Sequence, residues 1–206
     1  MAKRVAVLVS GGGTNLQAII DHFASLGAAS PGEVALVVSD QARAGALERA
    51  RKHGIDAVHV PKDAPAGALA RALARHRIDV IALAGYLRLV PTDVVRAYRG
   101  RIVNVHPALL PQFGGTGMYG HRVHEAVVAS GAKESGATVH FVDEAFDRGP
   151  IIAQSRVPVE RGDTADTLAT RVLVAEHALY PRVVAAVCAG DITLDAQGNV
   201  QGRLRD

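Results

Sequence analysis

The sequence predicts an α/β fold: a doubly wound, mostly parallel sheet of Rossmann-like type, mixed at one end. Three observations carry this. Residues 5–9, Val-Ala-Val-Leu-Val, form an unbroken apolar run, as a strand covered on both faces requires. A glycine-rich turn follows, and then Leu16, Ile19 and Ile20 at helical spacing. The same strand-then-helix unit recurs through the first half of the chain, which argues for parallel strands joined by crossover helices.

The elements follow in order. Residues 34–38 read as the second strand, and residues 44–53 as a helix stopped by Gly54. Residues 57–60 are a third strand and 66–76 an alanine-rich helix. Residues 80–84 are the fourth strand, 92–98 a short helix and 101–105 the fifth strand. Beyond these, residues 138–142 and 151–157 read as strands separated only by the turn 143–150, a spacing that allows a hairpin and hence an antiparallel edge. The longest helix is expected over 164–187, with Asp163 or Thr164 as its N-cap. Asp195-Ala196-Gln197-Gly198-Asn199 is a turn signal for a terminal hairpin within 192–204. The 206 residues, 49% of them hydrophobic, suffice for one well-buried domain. We divide it into a phosphate-binding βα half (1–105), a folate and catalytic half (106–190, so named from the resemblance below) and a C-terminal hairpin (191–206).

Composition narrows the function. Lys and Arg number 23 against 20 Asp and Glu, spread along the chain, which describes a solvated mixed-charge surface rather than a nucleic-acid binder. Aromatic residues are too few, at 4%, for base-stacking platforms. A mildly basic protein still favours anionic small molecules. The single cysteine, Cys188, permits neither an intrachain disulfide nor a Cys-based zinc site. The apolar run at 5–9 is too short for a signal-peptide core or a membrane span, so a cytoplasmic protein without membrane or nucleic-acid partners is expected, as monomer or homodimer.

Ser10-Gly11-Gly12-Gly13-Thr14-Asn15 joins the first strand to the first helix. Glycines let backbone amides approach a ligand, a helix N-terminus favours an anion, and Thr14 or Asn15 can add a side-chain donor. Leu16 stands where a dinucleotide fingerprint needs its third glycine, and no Gly-Lys-Ser/Thr is present, so a monophosphate fits better than a pyrophosphate. Asp40, after the second strand, keeps a nucleotide-binding module as a rival.

The fifth strand leads into Asn104-Val105-His106-Pro107. Residues two apart share a strand face, so Asn104 and His106 project together, at the end of a parallel strand where open α/β sheets place ligands. Pro107 keeps His106 extended. Such a pair can stabilise an oxyanion or move a proton near neutral pH. Asp147, in the turn 143–150, reads either as an ordinary turn aspartate or as a carboxylate that raises the pKa of a neighbouring histidine. In the long helix Leu168, Val172, Leu179 and Val183 form an apolar stripe, and Glu176 falls inside it. A carboxylate there either has a partner, a ligand amine or hydroxyl or a buried ion pair, or marks a stripe edge at the surface. His121 and His124 are spaced for one helix face, but the pattern is not His-Glu-x-x-His and no third ligand is nearby, so no metal site is expected. Gly114–Gly120 is a glycine-dense loop, either a connector or a flap beside the site.

Taken together, these residues resemble the folate-dependent phosphoribosylglycinamide formyltransferases. The pieces that match, in the family's order, are residues 9–19, Leu83-Ala84-Gly85-Tyr86-Leu87-Arg88, residues 104–111, residues 136–142 with Asp147-Arg148-Gly149-Pro150, and Glu176-His177-Ala178-Leu179-Tyr180-Pro181. The resemblance implies 10-formyltetrahydrofolate as co-substrate, 5-phosphoribosylglycinamide as the amine, and no metal. It implies that Gly13, Thr14 and Asn15 hold the phosphate, that Glu176 holds the ribose, and that Asn104, His106 and Asp147 are catalytic. Leu87, Arg88, Leu89, Val90, Asn104 and Val142 would line the folate pocket. Lys62 stands where the family often has Arg, giving a point charge without a bidentate fork. The segment after Phe113 is richer in glycine than the usual Phe-Pro-Gly. Two related enzymes share the Asn-x-His-Pro and Asp elements. A formyl-folate hydrolase carries an additional N-terminal domain, and a methionyl-tRNA formyltransferase a C-terminal RNA-binding domain, neither of which is expected here.

Overall fold

The computed structural model of the chain describes residues 1–204, so the last two residues of the expected C-terminal hairpin lie outside it. Five parallel strands, β1 (Lys3–Leu8), β2 (Gly32–Ser39), β3 (Asp56–His59), β4 (Val80–Leu83) and β5 (Ile102–His106), continue into an antiparallel pair, β6 (Glu134–Phe141) and β7 (Ile151–Pro158). Their order is β3-β2-β1-β4-β5-β6-β7. A short hairpin, β8 (Thr193–Leu194) with β9 (Val200–Gln201), forms a separate ribbon.

Alternation along the strands builds two cores. Val5, Val7, Val37, Ala82 and Val103 face α1 (Thr14–Leu26), α2 (Gly45–Lys52) and α6 (Ala165–Ala189). Ala6, Leu8, Leu36, Val38, Ile81 and Ile102 face α3 (Ala68–Arg75) and α4 (Thr92–Ala97). This is the two-sided burial that the continuous apolar runs predict. α5 (His121–Ser130) packs Val127 against Leu168 and Val172 of α6. α6 is long and apolar enough to cross a bilayer, yet most of it is buried against the sheet and α1. The Tyr180 hydroxyl lies 2.9 Å from the Leu83 carbonyl and 3.0 Å from that of Val103, pinning α6 beneath β4 and β5.

Several boundaries differ from expectation for local reasons. α3 begins two residues late because Gly67, in the left-handed region at φ 74°, caps it. β6 starts at Glu134 rather than 138, since pairing with β7 carries the strand through Gly136, where a side chain would collide with the Ser155 carbonyl. At the start of α6 Thr164 is the N-cap, accepting from the Thr167 amide at 3.3 Å, while Asp163 receives Arg171.

β1 runs to β2 on one side, whereas β4 returns to the other side of β1. The crevice at this reversal, beyond the carboxyl ends of β1 and β4, is where doubly wound sheets bind ligands. The turn after β1 and the segment after β4 border it.

Candidate active site

The turn after β1 is shaped by Gly13. Its φ of 77° favours glycine, and an added Cβ would lie 2.8 Å from that of Ala46. Gly11 and Gly12 have open space where a side chain would be. Ser10 ties the turn to its neighbours, its hydroxyl donating to Asp40 Oδ1 at 2.6 Å and accepting from the Leu87 amide at 3.1 Å. Asp40 is thereby engaged with the protein's own loop. The first amides of α1 have no intrahelical acceptor, and no acidic residue sits in that first turn.

Glu176 reaches this region from α6 and is 7% exposed. Burial pushes its carboxyl up to about 7, tempered by a hydrogen bond donated by Asn15 Nδ2 at 2.5 Å. The anticipated buried ion pair is therefore an amide–carboxyl contact. The Asn15 side chain gives one of its two N–H groups to Glu176, and its Oδ1 is buried without a partner. Thr14, by contrast, is exposed.

At the tip of β5, Asn104 and His106 share a face, and Val103 and Val105 enter the opposite core. β6 runs antiparallel beside them, setting His140 opposite Asn104 and Thr138 opposite His106. Asn104 Nδ2 lies 3.1 Å from His140 Nε2 and 3.4 Å from Asp147 Oδ1. His140 Nδ1 lies 2.7 Å from the Phe141 carbonyl, which can only accept, so Nδ1 carries the proton and Nε2 receives the Asn104 amide. Asp147 Oδ2 accepts from the Gly115 amide at 2.9 Å and sits 3.5 Å from His106 Nδ1. Burial would raise the Asp147 pKa, but its contacts with His140, His106 and the Gly115 amide outweigh it and leave the carboxyl below its usual range.

His106 is 3% exposed, and its Nε2 lies 2.8 Å from the Phe113 carbonyl. Here the sequence expectation needs correcting. Asp147 does act to raise the His106 pKa, but burial dominates and the net shift is downward. Burial thus favours the neutral ring. Phe113 and Asp147, which flank it, are both held in the left-handed region at φ 55°. Asp tolerates this, whereas for Phe it costs roughly 1–2 kcal/mol. Gly114 allows the close approach, since a side chain there would collide with Leu110 and press on Asp147.

These groups wall two adjoining hollows. The first, about 380 Å³, holds Asn104, His106, His140 and Asp147 beside Leu87, Arg88, Leu89, Val90 and Val142. The second, about 580 Å³, runs from Ser10–Asn15 to Glu176 and includes His121 and His124. Gly85, Leu87, Val105, Pro107 and Gly120 border both, so the two open into each other.

Residues 3–184 match the formyl transferase family. The chain belongs to that family. It is 47% identical over 192 residues to the chloroplastic phosphoribosylglycinamide formyltransferase of Vigna unguiculata, covering 90% of this chain and 61% of that protein. The chain thus spans about three-fifths of that relative's length. Among solved structures, the phosphoribosylglycinamide formyltransferase of Anaplasma phagocytophilum superposes with a TM-score of 0.89 at 36% identity, covering 100% of this chain and 97% of that one. Glycinamide ribonucleotide transformylase 1 of Symbiobacterium toebii gives 0.88 at 40% identity, covering 100% and 95%. The fold expected from the sequence is the fold of this family.

Most of the residues expected at the site converge on these two hollows. Lys62 does not. It is exposed in an adjacent hollow with Pro61, Tyr86 and Arg88, and its carbonyl accepts from Arg88 Nη2 at 3.3 Å. His140 and His121 separate clearly. His140 joins the Asn104–Asp147 cluster, while His121 is exposed and bridges Glu125 and Asp166 at 2.9 Å each, its pKa raised by those two carboxylates. Neither half of the chain owns a hollow: Leu87–Val90 come from the first half and Glu176 from the second.

Proposed function

We propose that the chain transfers the formyl group of 10-formyltetrahydrofolate to the amine of 5-phosphoribosylglycinamide, giving the N-formyl product and tetrahydrofolate in de novo purine (IMP) biosynthesis. The observation that carries this reading is the junction of the two hollows. A glycine-lined helix N-terminus and a buried carboxyl suit a phosphoribosyl group in one, an apolar slot suits a pterin in the other, and Asn104, His106 and Asp147 wall the folate side next to the shared border. In this reading Gly13, Thr14 and the Asn15 backbone hold the phosphate, and Glu176 takes the ribose hydroxyls. Leu87, Arg88, Leu89, Val90, Asn104 and Val142 receive the folate, with Lys62 at its outer end. Residues 1–105 then supply the phosphate loop and 106–190 the catalytic groups.

The amine nitrogen attacks the formyl carbon. A C–N bond forms, and the carbonyl electrons move onto oxygen. Asn104 Nδ2, whose 3.4 Å contact with Asp147 is the looser of its two, turns one N–H toward that oxygen. His106 Nε2–H exchanges the Phe113 carbonyl for it. Asp147, kept ionised, accepts the ammonium proton directly or through water and passes it to N10 as the C–N10 bond breaks. A carboxylate facing Nδ1 stabilises any positive charge that His106 gains along the way.

Incubation with 10-formyltetrahydrofolate, with and without 5-phosphoribosylglycinamide, tests the proposal. Folate turnover is expected only when the amine is present. Turnover without it would identify a hydrolase, and no turnover in either mixture would leave a binding module.

A further inference from the structure

His124 is a buried group that the reaction above does not use. It sits one turn into α5 and is 6% exposed, on a helix whose Val123 and Val127 are buried as well. Its Nδ1 is cut off from solvent with no hydrogen-bond partner. His121, three residues earlier, has a carboxylate on each ring nitrogen. The His124 ring is nevertheless part of the wall of the second hollow, in company with the glycine turn, Thr170 and Glu176. Burial depresses its pKa to about 4, with smaller contributions from His121 and His106, so the ring stays neutral at physiological pH.

A neutral imidazole carries one proton, on one of its two nitrogens. Buried acceptors are left without partners more often than buried N–H groups, which places the proton on Nε2 and leaves the Nδ1 lone pair in the dry interior. The ring then offers one N–H to the hollow. A ring with a buried, unpartnered nitrogen weakens the free protein, and a phenyl ring of similar size would not. Its retention is accounted for when a ligand supplies the missing acceptor.

We infer that His124 is a binding residue for the amine substrate, its Nε2–H donating to an oxygen of the phosphoribosyl portion between the phosphate turn and Glu176. This rests on the function proposed above. The test compares wild type with His124→Phe, with thermal unfolding measured without ligand and KM determined for each substrate separately. Expected are an unfolding midpoint equal to or above wild type, a KM for the amine raised about tenfold and a folate KM unchanged. His124→Gln, which carries an amide N–H close to the Nε2 position, is expected to recover amine KM to within about threefold of wild type. Should the phenyl ring not be accommodated, His124→Leu carries the same expectation. An amine KM that stays at the wild-type value, or a parallel rise for both substrates, overturns the inference. Failure of the wild-type enzyme to transfer formyl to the amine would instead overturn the functional reading, so the two outcomes are distinct.

Discussion

The two sides of the cleft are finished to different degrees. On the strand-tip side each polar group has a protein partner: Asn104 reaches His140 and Asp147, Asp147 takes the Gly115 amide, and His106 faces Phe113 and Asp147. On the helical side Asn15 Oδ1 and His124 Nδ1 are buried without partners. The contrast follows from the work each side does. Groups that meet developing charge are most effective when held close to their working positions, because only small turns are then needed as the charge appears. Groups that hold a polar substrate can be completed by it, at a cost to the stability of the empty protein.

The largest effect should come from the strand-tip side. Asn104→Ala removes an oxyanion donor and the link between His140 and Asp147, and kcat should fall by about 100- to 1000-fold with little change in amine KM. Steady-state kinetics with both substrates reads this directly. A variant that transfers formyl near the wild-type rate would remove Asn104 from the chemistry and abolish the contrast.

The helical side should respond in binding and in pH-dependent stability. Glu176→Gln keeps an acceptor for Asn15 but weakens capture of the ribose, raising amine KM by about tenfold with kcat nearly preserved. The pH behaviour has a definite sign. The Glu176 pKa is raised in the fold from 4.5 to about 7, so its contribution to stability is full below 4.5 and is lost as pH rises through 7. The His124 pKa is depressed from 6.5 to about 4, so its contribution is full above 6.5 and is lost as pH falls through 4. The two oppose each other across the same window. Relative to wild type, Glu176→Gln should lose stability on acidification from pH 7 to 4.5, and His124→Phe should gain it. Urea midpoints measured at half-unit pH intervals would show this. Parallel curves for all three proteins would mean that these groups titrate in the fold as they do in the unfolded chain.

This division also explains what could be read from the sequence. Most of the parallel strands were legible as apolar runs between turn signals, and the glycine turn and the Asn104–His106 pair follow from strand ends. Glu176 was legible as a misfit in a stripe. Its partner was not, since Asn15 lies 161 residues away and no local pattern links them. His140 escaped because its role depends on the β5–β6 register, which places it opposite Asn104. His121 and His124 look alike in sequence, but the fold buries His124 and leaves His121 exposed. The glycines at 114–120 hid the start of α5, and they also supply the left-handed backbone at Gly115, Gly117 and Gly120.

The smallest effect should fall outside both hollows, at Lys62. Its side chain is exposed, and its contact with the cleft is a backbone carbonyl holding Arg88, which Lys62→Ala leaves in place. What the substitution removes is a solvated ammonium beside the first hollow, which in the proposed reaction would attract the carboxylates of a folate tail. An exposed charge of this kind contributes little, so folate KM should rise by about twofold or less, with amine KM and kcat unchanged. Because the Debye length shrinks to about 3 Å at 1 M ionic strength, the difference between variant and wild type should vanish in high salt. A larger rise that survives high salt would show the ammonium making a close contact within the slot, and the boundary drawn here between the cleft wall and the adjacent hollow would have to move outward to include it.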